Sequence, residues 1–183
     1  MKQALLLIDI QNDYFDGGTM TLVNARTASR QAKLLLEAFR NKHLPVIHIQ
    51  HIAIRPTATF FLPDTFGANI HEDVQPLQGE KVVIKHFPNS FRETELRDVL
   101  REYEITHLTV AGMMTHMCID ATTRAATDLG YVCTLVGDAC ATRNLEINGE
   151  TVKAADVHNA FLAALNVTYA TVSTTKEQIQ SLQ

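Results

Sequence analysis

The 183-residue chain predicts one α/β domain of three layers, α-β-α, built on a six-stranded, mostly parallel sheet. Three features predict it. Short runs rich in Leu, Ile and Val recur six times, separated by stretches of helical periodicity. The runs are apolar at consecutive rather than alternate positions, as in strands buried on both faces. The length supports one sizeable core and is short for two.

The first strand is "QALLLIDI", which Asp9 interrupts near its end. Asn24 is placed to cap a helix running to about His43, with Ala28, Ala32, Leu35, Leu36 and Phe39 on its inward face. "LPVIHIQ" is the second strand and "KVVIK" the third. Ser90 and Glu93 have the spacing of a capping box for the next helix, which turns Leu96, Val99, Leu100 and Tyr103 inward. "HLTVAG" is the fourth strand. A helix follows from about His116 to Leu129, and Gly130 stands where a left-handed C-cap belongs. "YVCTLVG" is the fifth strand. A loop, a helix over roughly Val152 to Leu165 and the sixth strand, "TYATVS", come next. Thr174 and Glu177 suggest a second capping box on a short last helix.

Composition narrows the function. Apolar residues make up 46% and charged residues 20%, an ordinary globular balance. The net charge of −4, without a basic stripe, argues against nucleic acid or an anionic membrane as partner. No apolar run reaches the length of a membrane span, and "ALLLIDI" is too short for a signal-peptide core. Cys118, Cys133 and Cys140 form neither a disulfide framework nor a CxxC metal pattern, so a reduced, cytoplasmic protein is expected.

Ligands of open α/β sheets bind beyond the carboxyl ends of the strands. Asp9 ends the first strand, Lys85 ends the third, and Cys118 follows the fourth, one turn into its helix. A carboxylate in an apolar strand needs a partner, which Lys85 can be. A thiol at a helix start near a cation is expected to have a lowered pKa and to act as a nucleophile. Asp9 is then the proton carrier, and backbone N–H groups at the helix start are the oxyanion donors. The bland alternative is a buried inert cysteine beside a structural ion pair. The His51–Glu80 connection, with Pro56, Pro63, Pro76, Gly67 and Gly79, is long for a compact domain, and such loops usually serve function.

The chain resembles the isochorismatase-like cysteine hydrolases. "LLLIDIQNDYF" is similar to that family's opening motif, with Asp9, Gln11, Asp13 and Phe15. "KHFPNSFRETEL" resembles a second motif, running from Lys85 through Ser90, Phe91 and Thr94 to Leu96. "VAGMMTHMCIDATTRAATDLGY" resembles a third, around Cys118, and "GDACAT" the segment after the fifth strand. The resemblance implies a Rossmann-like, three-layer isochorismatase-like hydrolase fold and a Cys118-Asp9-Lys85 triad. It also implies a cis peptide before Met114 and an oxyanion hole made by the N–H groups of Met114 and Cys118. It implies hydrolysis of a small molecule and association into a homodimer or homotetramer.

Nicotinamidase-like members carry an Asp-x-His metal site after the second strand. Here that stretch reads "VIHIQHIA", with Gln50 at the Asp position, so no metal or other cofactor is expected. Were one to bind, His51, His71 and Asp73 would be its ligands. The retained cysteine favours amide, ureide or carbamoyl hydrolysis. Vinyl ether hydrolysis of the isochorismatase type is the enzymatic alternative. A catalytically silent small-molecule-binding module and a thiol redox protein are the other classes, and the second lacks an evident resolving cysteine. Phe15, Gln50, Phe60, Phe61 and His116 are the candidate substrate contacts, with His116 either facing the pocket or capping its helix.

Overall fold

A computed structural model describes residues 2–182. The strands are β1 (Gln3–Ile8), β2 (Val46–His51), β3 (Lys81–Lys85), β4 (His107–Met113), β5 (Val132–Ala141), β6 (Leu145–Ile147), β7 (Glu150–Val152) and β8 (Thr171–Ser173). The α-helices are α1 (Ala25–Asn41), α2 (Leu96–Glu102), α3 (Asp120–Asp128), α4 (Ala154–Thr168) and α5 (Thr175–Ser181). Six strands form one sheet in the order β3-β2-β1-β4-β5-β8, and every pairing in it is parallel. The consecutive apolar residues of β1 divide between the two faces: Leu5 and Leu7 pack under α1, while Ala4, Leu6 and Ile8 meet α2 and α3. Leu6 is wholly buried, so truncating it to Ala would cost about 2–5 kcal/mol. Among the described residues no helix is long and apolar enough to cross a membrane.

The strand order reverses between β1 and β4, and such a switch point opens a crevice at the strand carboxyl ends. At that rim the two strands approach closely where Ile8 faces Gly112. Gly112 has φ +135°, and a Cβ there would lie 2.0 Å from the Ile8 carbonyl oxygen, so only glycine fits.

Several local expectations change. Asn24 takes the left-handed conformation and its side chain caps nothing. Ser90 and Glu93 form no capping box: Glu93 is itself left-handed, and α2 starts after Glu95. Ser90 instead bonds across the fold. Its N–H donates to Thr122 Oγ1 at 3.0 Å and its hydroxyl lies 2.8 Å from the same oxygen, tying the loop after β3 to α3. The fifth strand continues through "GDACA", with a register shift against β4 between Val110 and Gly112. The antiparallel β6–β7 hairpin occupies the stretch read as loop, and α4 begins after it. The Thr174–Glu177 capping box forms as expected, and Gly130 is left-handed at φ +94°.

Candidate active site

β1 ends at Ile8, and Asp9 leaves the strand in a left-handed conformation with φ 53°, which a short polar side chain tolerates better than a branched one. Its carboxylate is wholly buried. Lys85, the last residue of β3 and equally buried, brings its Nζ to 2.7 Å from Asp9 Oδ2. The contact is an ion pair, and neither Asp9 oxygen receives a donor in hydrogen-bond geometry. Lys85 also donates to the carbonyl of Phe87 at 3.0 Å and to His51 Nδ1 at 3.1 Å. Burial alone would lower the Lys85 pKa, but the Asp9 carboxylate, with the neighbouring Cys118 sulfur adding to it, outweighs burial and the value is raised. The ammonium therefore stays charged.

A turn of π-helix, Thr115–Ile119, joins β4 to α3 and presents Cys118, which is 5% exposed. Cys118 Sγ, a carboxylate oxygen of Asp9 and a ring nitrogen of His51 all lie within 4.8 Å of one another. The peptide between Met113 and Met114 is cis. One expectation about this site reverses. Burial first, and the Asp9 charge second, push the Cys118 thiol up, with Lys85 opposing. The resting sulfur is thus a thiol, with the Asp9 carboxylate beside it.

His51 closes the group. Gln11 grips its backbone from below: Gln11 Oε1 accepts the His51 N–H at 2.8 Å, and Gln11 Nε2 donates to the carbonyls of His51 at 2.9 Å and Ala68 at 2.7 Å. Burial chiefly, with the Lys85 charge, lowers the His51 pKa to about 4 despite Asp9. The ring is neutral, and because Nδ1 accepts from Lys85, its proton sits on Nε2.

Above these groups lies a cavity of about 290 Å³ with Cys118 in its wall, bounded among others by Tyr14, His51, Arg55, Phe60, His86 and Met117. Its size suits a small molecule. Asp9 and Lys85 do not line it; both side chains are wholly buried. A more open groove of about 460 Å³ near Arg40 and Tyr103 holds no thiol, and its carboxylate, Glu80, is paired with Arg40 at 2.7 Å.

Of the expected substrate contacts, Phe60 lines the cavity and the others do not. Phe61 is wholly buried against Tyr14, and its N–H donates to Asp13 Oδ2 at 2.7 Å, so it anchors the loop. Phe15 is buried and stacks on His71 at 3.7 Å. Gln50 donates to the Ala68 carbonyl at 2.9 Å, and His116 Nδ1 lies 2.6 Å from the Thr142 hydroxyl. These contacts join the long loop to β2 and to the segment after β1, and the turn after β4 to the segment after β5. Among the described residues, the ligand atoms of His51, His71 and Asp73 do not gather: His71 stacks on Phe15, and Asp73 accepts from the Ser29 hydroxyl at 2.7 Å. The cavity residues that sequence reasoning missed include Tyr14, Arg55, His86 and Met117. Tyr14 stands inside the quoted opening motif, and its position between Asp13 and Phe15 was the signal available.

The family model for the isochorismatase domain matches residues 3–177. The chain belongs to the isochorismatase family. The isochorismatase family protein YddQ of Bacillus subtilis is 54% identical over 96% of this chain and 98% of its own length. The crystal structure of an isochorismatase hydrolase from Oleispira antarctica is 51% identical, superposes with a TM-score of 0.95, and covers 98% of this chain and 96% of that one. A streptothricin hydrolase of Streptomyces noursei is 35% identical over 78% of this chain and 51% of its own length. More distant relatives include nicotinamidases and a ureidoacrylate amidohydrolase. This isochorismatase-family protein is a hydrolase, with the six-stranded fold of its structural neighbours.

Proposed function

We propose that this isochorismatase-family hydrolase cleaves a C–N bond of a small amide, ureide or carbamoyl compound through a covalent Cys118 intermediate. The observation that carries the proposal is the thiol of Cys118 in the cavity wall, within 4.8 Å of a buried Asp9 carboxylate that holds no hydrogen bond of its own.

Asp9 takes the thiol proton as Cys118 Sγ attacks the carbonyl carbon. Charge moves to the substrate oxygen, which the N–H groups of Met114 and Cys118 receive. The carbon–nitrogen bond breaks, and the Asp9 carboxyl returns the proton to the departing ammonia or amine. Water then gives a proton to Asp9 and attacks the thioester. The acid product leaves, and the proton goes back to sulfur. Lys85 stays charged throughout. It holds Asp9 as a carboxylate when the sulfur is neutral and offsets the thiolate charge when the proton has moved. The amidohydrolases among the relatives support C–N over C–O cleavage.

The test is an ammonia-release assay across small amides, ureides and carbamoyl compounds, with pyruvate release from isochorismate followed in parallel. Turnover of an amide-type compound that disappears in Cys118→Ala and Asp9→Asn supports the covalent route. Turnover retained in either variant removes it, and turnover of isochorismate alone replaces the C–N reading with vinyl ether hydrolysis. A dimer or tetramer, implied by the family resemblance, is read by sedimentation velocity.

A further inference from the structure

Tyr14 lines the same cavity as Cys118. It closes the short 3-10 turn Asn12–Tyr14 that follows Asp9, and its ring is held by Phe61 at 4.6 Å and Phe60 at 6.0 Å. The residue is 1% exposed, yet it lines the cavity. Its hydroxyl has no hydrogen-bond partner among the described residues, and it is not among the buried atoms sealed from solvent. What little exposure Tyr14 has is therefore at the oxygen, facing the cavity. Buried tyrosines usually find a partner for the hydroxyl. The Tyr14 hydroxyl is kept protonated: burial first, with the neighbouring Cys118 and Asp9 adding to it, raises its pKa well above the ordinary value.

Two neighbouring cavity groups are also donors: His51 spends Nδ1 on Lys85 and keeps its Nε2–H, and the Arg55 guanidinium stands at the rim. The cavity also holds the Thr57 and Thr59 hydroxyls, which donate or accept, and His86, whose Nδ1 donates to the Ile52 carbonyl at 2.7 Å. Three donors on one cavity favour a ligand with acceptors.

We propose that the Tyr14 hydroxyl is a specificity-determining donor: it selects amides, ureides or carbamoyl compounds that carry an oxygen acceptor beside the carbon attacked by Cys118. This rests on the reading of Cys118 as nucleophile given above. A substrate lacking that oxygen leaves the hydroxyl buried and unpaired, which is the stronger form of discrimination. Removing the hydroxyl removes the preference while leaving ring packing intact.

The experiment compares alkylation rates at Cys118 for two electrophiles of similar size, iodoacetamide, which carries an oxygen acceptor, and propyl iodide, which does not. The Cys118 peptide is quantified by mass spectrometry in the wild type and in Tyr14→Phe. Taking the ratio of the two rates cancels any change in thiol ionisation or in cavity access. The ratio is expected to fall roughly three- to tenfold in Tyr14→Phe, the size of one hydrogen bond to a neutral acceptor. An unchanged ratio overturns the proposal and leaves the nucleophile reading standing. Failure of both reagents to modify Cys118 overturns both. Tyr14→Phe is expected to melt with the wild type. A variant that unfolds shows the hydroxyl engaged in the fold and also overturns the proposal.

Discussion

Lys85 Nζ stands 2.7 Å from Asp9 Oδ2, and both side chains are wholly buried. β1 and β3 are not neighbours in the sheet: β2 lies between them, and the long lysine side chain crosses the rim to close the gap. The Lys85→Met variant keeps the stem and removes the charge. It leaves Asp9 uncompensated, which should destabilise the fold by about 3–5 kcal/mol. Urea unfolding of Lys85→Met, Asp9→Asn and the double variant measures the coupling, and the double variant is expected to lose less than the two single losses added. The sign with pH follows from the raised Lys85 pKa. Its contribution is present in full below the unfolded value of about 10.4 and is lost as pH rises through the higher folded value.

The Cys118 sulfur should be a neutral thiol at pH 7. Burial and the Asp9 charge raise its pKa, and the Lys85 ammonium only partly opposes them. Ultraviolet difference spectra of wild type against Cys118→Ala are expected to show no thiolate band near neutral pH. In Asp9→Asn the thiolate band is expected to appear at lower pH than in the wild type, since the charge that opposes the thiolate is gone and Lys85 remains. Turnover of any accepted amide should fall by roughly 10²-fold or more, since no group then carries the proton to the leaving amine. A resting thiolate band would reverse this order of events and make Lys85 the dominant influence.

His51 gives a pH dependence of the opposite sense to Lys85. Its pKa falls from an ordinary 6.5 to about 4 on folding, mainly through burial. The associated stability is present above pH 6.5 and is lost as pH falls through the folded value, at most roughly 3 kcal/mol by the usual conversion. Chemical denaturation across that acid range should show the slope in the wild type and a flatter curve in His51→Gln. Nitrogen NMR is expected to find the Nε2–H tautomer at neutral pH. A His51 titration midpoint near its ordinary value would remove the Lys85–His51 hydrogen bond from the account.

The cavity wall depends on Asp13, whose Oδ1 accepts from the Thr19 hydroxyl at 2.9 Å and whose Oδ2 accepts from the Phe61 N–H at 2.7 Å. Gly67 packs onto that carboxylate, and a Cβ there would lie 2.2 Å from Oδ1. Gly67→Ala should therefore push Asp13 off Phe61 and loosen the segment carrying Arg55 and Phe60. The expected cost is about 1–3 kcal/mol in thermal or urea melts, the usual range for overpacking. For any accepted substrate KM should rise more than kcat falls, because Cys118 and Asp9 stay in place. A larger effect on kcat would instead tie the clamp to the chemistry itself.

The six strands were legible because each is an apolar run long enough to be buried on both faces, and the helices because their inward faces repeat at helical spacing. The capping box at Thr174 was legible because both of its bonds are local. The same pattern at Ser90 misled, since that hydroxyl is claimed by Thr122 from a distant helix. Phe15, Gln50, Phe61 and His116 misled for a related reason. A loop that crosses the rim must be fastened, and these side chains do the fastening.

The order of apolar runs determined the layered parallel fold, and the motifs around Asp9, Lys85 and Cys118 singled out those residues as the proposed reactive set, which the structure brings together. Periodicity and spacing act over a few residues, so they reach no further than the ends of the elements. Whether Cys118 rests as thiol or thiolate, which nitrogen of His51 keeps its proton and which aromatic ring faces the ligand were decided only by tertiary structure. All three depend on burial and on charges that meet across non-adjacent strands, where low dielectric makes a contact of a few ångströms outweigh any local preference.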